Sequence, residues 1–250
     1  MSSRQPVTAA DPAGPTDRDA AHLSLASLGL RRNDRWLFRG INWEVPRGRV
    51  VAVVGASGAG KSSLLACLAG QLAPTEGTVR CHLADGTRPP AACQPRFGVV
   101  FQHFALSPTS TLLTNVLCGR LGRYPWWRTL TGFPRADKLR AWALLCDLGL
   151  GTLAHRRANE VSGGEQQRTA LLRALHQEPE YLLADEPVSQ LDTYLAGRVL
   201  GLLRQEAHEK RRTVFCVLHD PALVDRFADH VLSLDAQKPD GWKIRHLRHD

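Results

Sequence analysis

The stretch Val50-Val51-Ala52-Val53-Val54-Gly55-Ala56-Ser57-Gly58-Ala59-Gly60-Lys61-Ser62 joins an apolar run to a glycine-rich turn, and Ser63-Leu64-Leu65-Ala66-Cys67-Leu68-Ala69 then continues as a helix. A strand that ends in glycines and turns straight into a helix aims several backbone N–H groups, and the positive end of the helix dipole, at one point. A polyphosphate is the natural occupant of that point. In this arrangement Lys61 reaches the β- and γ-phosphates of a nucleotide, and the Ser62 hydroxyl helps hold the Mg²⁺ that bridges them. A chance glycine-rich loop would not fill every position and also sit between a strand and a helix. The loop states that a nucleotide binds and does not state why.

Upstream of the loop, Leu23 to Val45 shows the alternation of an antiparallel edge sheet and leads through Pro46-Arg47-Gly48 into the loop strand. Downstream, Gly70 reads as a helix stop, Pro74-Thr75-Glu76-Gly77 as a turn before the strand Thr78 to Cys81, and Phe97 to Phe101 as a further strand ending at Gln102. From about Phe104 to Asn159 the period becomes helical, with helices expected over 111–121 and 135–148. This part reads as an inserted helical lobe. Tyr124-Pro125-Trp126-Trp127-Arg128 lies within it, and adjacent tryptophans more often pack than recognise a ligand. Tyr181 to Ala184, Thr213 to Leu218 and His230 to Leu234 are short apolar runs separated by helices, the pattern of a parallel sheet covered on both faces.

A chain of 250 residues can bury a full core. Its formal charge of +8 invites a nucleic-acid reading. The arginines are spread along the chain and no nucleic-acid recognition motif occurs, so no nucleic-acid partner is expected; the basic surface is solvated, aided by work near anionic lipid. The six cysteines form no CxxC pair and share no metal-ligand spacing with the ten histidines, which points to free thiols in a reducing compartment. The N-terminus lacks the apolar core of a signal peptide, and no apolar run approaches the roughly 20 residues of a membrane span. Work at a membrane would therefore require docking by a partner. Residues 1–22, rich in Ala, Pro, Ser, Thr and Asp, read as a disordered tail.

The strand Tyr181 to Ala184 ends in Asp185-Glu186, acids at the carboxyl end of a parallel strand, where ligands bind in such sheets. Asp185 is the expected Mg²⁺ partner, and Glu186 the candidate general base for water attacking a γ-phosphate. An Asp-Glu pair alone would more often be a structural helix start; the loop reverses that. Val161-Ser162-Gly163-Gly164-Glu165-Gln166-Gln167-Arg168 leads into another helix, and Ser162 with Glu165 has the spacing of a capping box. Two glycines behind that serine would also leave bare N–H groups at a helix N-terminus, a second anion site.

With these residues the chain resembles the ATP-binding subunits of ABC transporters, and Ser162-Gly163-Gly164-Glu165-Gln166 matches their signature motif. The resemblance covers Leu23 to about Ala236 with the motifs in family order. It implies an α/β fold, a P-loop NTPase (RecA-like) core of ABC type with an antiparallel β edge subdomain and an inserted α-helical subdomain. In these terms residues 23–250 form one domain, with core 23–104 and 160–250 and helical subdomain 105–159. The Walker A loop is then Gly55, Ala56, Ser57, Gly58, Ala59, Gly60, Lys61 and Ser62, followed by Ser63. Gln102 is the glutamine that touches metal and attacking water. Asp185 and Glu186 are the Walker B pair, Ser189 to Asp192 the D-loop, and His219 the switch histidine on the γ-phosphate. By itself a histidine before Asp220-Pro221, a helix cap and first position, could be merely structural. The resemblance further implies cofactors ATP and Mg²⁺, and a head-to-tail homodimer in which Ser162 to Gln166 of one copy face the ATP of the other. A membrane permease, and through it a solute-binding protein, are the remaining implied partners, at the cytoplasmic face of the bacterial inner membrane.

The chain departs from the family at three places. The aromatic that stacks on adenine falls near Arg32, so Trp36 or the Arg32 guanidinium must substitute; Gln190 stands where a small residue is usual; Ser63 replaces a common threonine. Asn115 to Arg123, Trp127 to Leu130, and Leu218 to Asp229 are similar to phosphonate-import ATPases in particular. Phosphonates or related phosphorus oxyanions are thus the expected solutes. The alternatives are a soluble accessory ATPase of a carbon–phosphorus lyase assembly, an importer or exporter ATPase for another solute, and a DNA-repair or translation ATPase. The last usually carries tandem cassettes or a long coiled-coil insertion, which this chain lacks.

Overall fold

The computed structural model describes residues 21–84, 86–101, 104–125, 127 and 132–247. Gln102, Trp126 and most of the expected tail lie outside them.

Two sheets organise the described residues. The first is antiparallel, in the order β2-β1-β4-β5: β1 (Ala21–Arg32), β2 (Arg35–Pro46), β4 (Glu76–Leu83) and β5 (Gly86–Arg88). The second, in the order β10-β9-β3-β8-β7-β6, contains β3 (Val50–Val54), β6 (Phe97–Val100), β7 (Tyr181–Ala184), β8 (Thr213–Val217), β9 (His230–Ser233) and β10 (Lys243–His246). Strands β9, β3, β8, β7 and β6 are mutually parallel, and β10 runs antiparallel on the edge beside β9. β1 starts at Ala21 rather than Leu23, because His22 is buried with its ring stacked on Tyr181 and its Nδ1 2.8 Å from the Thr213 hydroxyl.

Side chains alternate across the parallel sheet with the period of two that a strand imposes. Val51, Val53, Tyr181, Leu183, Phe215 and Val217 face the antiparallel sheet and α1 (Lys61–Leu68). Val50, Ala52, Leu182, Ala184, Val214 and Cys216 face the opposite helices, α4 (Gly163–His176), α5 (Thr193–Lys210) and α6 (Pro221–Phe227). Both faces are therefore dry, which is why these strands read as unbroken apolar runs.

The helical lobe comprises α2 (Leu112–Leu117) and α3 (Arg135–Asp147), whose Leu112, Val116, Ala141 and Leu145 pack with Leu171, Leu172 and Leu175 of α4 in the same core. The helix expected over 111–121 divides: α2 ends at Leu117 and a tighter 3₁₀ turn runs from Cys118 to Arg123. Gly119 sits so close to the last turn of α4 that a Cβ there would lie 2.2 Å from the Arg173 carbonyl oxygen. The thiols are all unpaired, and burial pushes Cys216 up to about 12.

Candidate active site

Because β3, β8, β7 and β6 are parallel and adjacent, their carboxyl ends place the loop after β3, His219 after β8 and Asp185-Glu186 after β7 along one edge. The loop is shaped by its glycines. Gly60 caps α1 in the left-handed region, φ 92°, and a Cβ on it would lie 2.9 Å from the Leu37 Cβ. At Gly55 a Cβ would lie 2.6 Å from the Leu234 carbonyl oxygen. Ala56, Ser57, Gly58 and Ser62 are exposed, whereas Ala59 is buried. Lys61 is buried too, and its Nζ donates to the carbonyls of Gly55 at 2.9 Å and Ala56 at 3.0 Å. An ammonium fixed inside a glycine loop, with the first N–H groups of α1 beside it, fits a phosphate chain. α1 carries no acidic residue in its first turn to oppose an anion.

Glu186 adopts φ 53°, unusual for a residue with a Cβ and costing roughly 1–3 kcal/mol. Its Oε1 lies 2.6 Å from Nε2 of His219. Both side chains line a cavity of about 220 Å³ with Ser189, Leu191, Thr193 and Asp220 among its walls. Asp185 continues the sheet by donating its N–H to Val100 O at 3.0 Å, so the acids follow directly from a backbone held in register.

Ser162 caps α4: its Oγ accepts from the Glu165 N–H, and the Glu165 carboxylate accepts from the Ser162 N–H at 2.7 Å. The structural reading of that spacing therefore holds. Gln166 donates to Val161 O at 3.2 Å and lines a groove of about 500 Å³ with Phe104, Ala105, Leu106, Pro108, Ala158 and Asn159. Asp192 caps α5 through the Leu195 N–H at 2.9 Å. Trp36 carries the Arg39 guanidinium on its ring at 4.6 Å, while its neighbours Leu37 and Phe38 lie against the loop at Gly60. Arg32 is exposed. Trp127 is 61% exposed.

One connection was not legible from motif spacing. Gln167 is buried and donates to the Glu186 carbonyl at 2.7 Å. A glutamine one turn into a helix carries no periodic signal, and only the three-dimensional packing of α4 on the turn after β7 discloses its partner.

The ABC transporter family model matches residues 38–189, from β2 through the turn that follows β7. The chain belongs to the ABC transporter family. It is 40% identical over 204 residues to the phosphonates import ATP-binding protein PhnC of Trichormus variabilis, covering 81% of this chain and 84% of that one. To PhnC 1 of Natronomonas pharaonis it is 41% identical over 213 residues, covering 85% and 89%. Among solved structures, a dimeric ATP-binding cassette in a post-hydrolysis state with ADP and phosphate shares 26% identity at a TM-score of 0.76, covering 91% of this chain and 100% of the other. An inward-facing metal-chelate type ABC transporter shares 29% identity at a TM-score of 0.74, covering 90% and 83%. The two sheets and the helical lobe are thus those of an ABC cassette, a P-loop NTPase that hydrolyses ATP. No helix among the described residues is long and apolar enough to cross a membrane.

Proposed function

We propose that this chain is the ATP-hydrolysing subunit of an importer for phosphonates or related phosphorus oxyanions, working as a head-to-tail pair under a membrane permease at the cytoplasmic face. The observation that carries the catalytic part is the Glu186–His219 contact at the edge that also bears the Lys61 loop. The solute rests on the named relatives, since the residues of this site handle nucleotide and meet no solute.

The loop Gly55 to Ser62, with Ser63 behind it, binds the phosphates. Ser62, Asp185 and Gln102 would hold Mg²⁺, which when bound neutralises charge between the phosphates. Glu186 accepts a proton from the attacking water, and His219 keeps the carboxylate aimed and then meets the γ-phosphate. The purine is assigned to Trp36, braced on one ring face by Arg39. Ser162, Gly163, Gly164, Glu165, Gln166 and Asp192 of the second copy close over the ATP. Closure is driven by contacts that exist only with both nucleotides bound, and hydrolysis removes them. The groove beside Gln166, which Phe104 helps to line, takes a short helix of the permease, and the exposed Trp127 is a further candidate for that docking surface.

Co-purification from membranes tests the assignment. Recovery with an integral-membrane permease, and ATP turnover stimulated by that permease and a phosphonate-loaded binding protein, is expected. Recovery with soluble carbon–phosphorus lyase subunits alone would overturn it.

A further inference from the structure

Gln167 lies in the second turn of α4, five residues past the cap Ser162, and is 2% exposed. Its Nε2 donates to the Glu186 carbonyl at 2.7 Å and to Ser189 Oγ at 3.3 Å, and its Oε1 accepts from the Gln190 N–H at 3.3 Å. Both ends of the carboxamide are thus engaged by the turn that follows β7. That turn contains a strained residue, Glu186 at φ 53°, whose carboxylate points at His219. A second contact joins the same two segments: a Cβ on Gly163 would lie 2.3 Å from Gln190 Oε1, so the Gln190 side chain rests against the glycine that follows the cap.

We propose that Gln167 is a positioning residue for hydrolysis, which holds the left-handed backbone of Glu186 and makes its aim depend on the placement of α4. The inference rests on the two-cassette reading above. In that reading the N-terminus of α4 faces the nucleotide of the partner copy, while Glu186 serves the nucleotide of its own chain. Gln167 therefore spans the two composite sites within one subunit. Displacement of Gly163 by the partner's nucleotide presses on Gln190, and the carboxamide of Gln167 passes that movement to the Glu186 carbonyl. Gln190, whose side chain rests against Gly163, adds a lever on the same turn.

The test compares Gln167→Leu, which keeps the volume and removes all three bonds, with Gln167→Glu, which keeps the acceptor for the Gln190 N–H and loses the donors to Glu186. Gln190→Ala, an exposed position, serves as the variant that folds in any case. Both Gln167 variants are expected to retain ATP affinity within about threefold while kcat falls on the order of 10²-fold, the cost of misplacing a catalytic group by about 1 Å. The Hill coefficient for ATP falls toward 1 in Gln167→Leu, and it falls in Gln190→Ala without a matching loss of kcat. Unchanged kcat in a folded Gln167 variant, or an unchanged Hill coefficient in Gln190→Ala, overturns the proposal. So does a loss of ATP affinity and melting temperature in parallel with kcat, which marks a merely structural role. A Glu186→Gln protein that stays monomeric in ATP instead overturns the two-cassette reading, and the coupling with it. Dimerisation of that protein supports the two-cassette reading, and the Gln167 kinetics then decide the coupling alone.

Discussion

The Nε2 atom of His219 lies 2.6 Å from Oε1 of Glu186, across the carboxyl ends of the adjacent parallel strands β8 and β7. Neither side chain is packed away: both face the cavity that Asp220 and Ser189 also line. A carboxylate with one oxygen oriented by an imidazole keeps the other for a water proton. The pair thus has the geometry of a base and its orienter.

Glu186→Gln removes the basic oxygen and leaves the shape. It is expected to bind ATP as tightly as the parent and to lose turnover by 10²-fold or more, the usual reach of general-base catalysis. ATP-bound dimer then accumulates, visible by light scattering. Near-normal hydrolysis would show that the base lies elsewhere. His219→Ala, which frees the carboxylate to rotate, should lower kcat with a smaller change in KM.

Lys61 is held by two carbonyls of its own loop, so its loss removes both the cation for the phosphates and the tie across the turn. Lys61→Ala should weaken ATP binding by at least about tenfold, in line with a lost charge-assisted contact. Equilibrium titration with a fluorescent ATP analogue checks it, and parental affinity would contradict the phosphate role.

Strands β3, β7, β8 and β9 were readable in the sequence because burial on both faces leaves unbroken apolar runs, and the loop because its glycines are demanded by contacts with Leu37 and Leu234. The residues expected on the nucleotide side follow from strand ends. Besides the break of the helix expected over 111–121, two long-range ties were not readable. The start of β1 depends on His22, whose burial against Tyr181 and Thr213 joins residues 159 and 191 positions apart, far beyond any local pattern. The hold of Gln167 on Glu186 spans 19 positions and passes through a backbone carbonyl, which no side-chain motif records. Ser162 and Asp192, expected from the sequence to face ligand, are N-caps of α4 and α5, a role that the same spacing of hydroxyl or carboxylate also signals.

Gly119 and Gly163 predict opposite responses to the same substitution. At Gly119 a new methyl meets the backbone carbonyl of Arg173, which cannot yield without shifting α4. Gly119→Ala should cost roughly 1–3 kcal/mol of stability, a melting temperature lower by about 3–10 °C for a domain of this size. At Gly163 the obstacle is the far end of the Gln190 side chain, which can swing aside only by giving up its contact with the glycine. Gly163→Ala should fold with little change in melting temperature and alter ATP turnover. A melting shift as large as that of Gly119→Ala would refute this contrast.

Two buried imidazoles set how the fold answers acid. Burial holds His176 down to about 4, reinforced by the nearby Arg120 guanidinium, and burial holds His230 down to about 4, with His246 beside it. In the unfolded chain such rings take up protons below about 6.5. Between about pH 6.5 and 4 the unfolded state therefore binds more protons than the native one, and stability falls as the pH falls. Each ring contributes on the order of 2–3 kcal/mol across that window, and above pH 7 the contribution is constant. Urea midpoints at pH 7.5, 5.5 and 4.5 should decline accordingly. His176→Leu removes two buried ring nitrogens that have no hydrogen-bond partner, so it should flatten the decline by about one proton while leaving stability at pH 7.5 nearly intact. An unchanged slope in that variant would show that carboxylates, rather than His176, govern the acid limb.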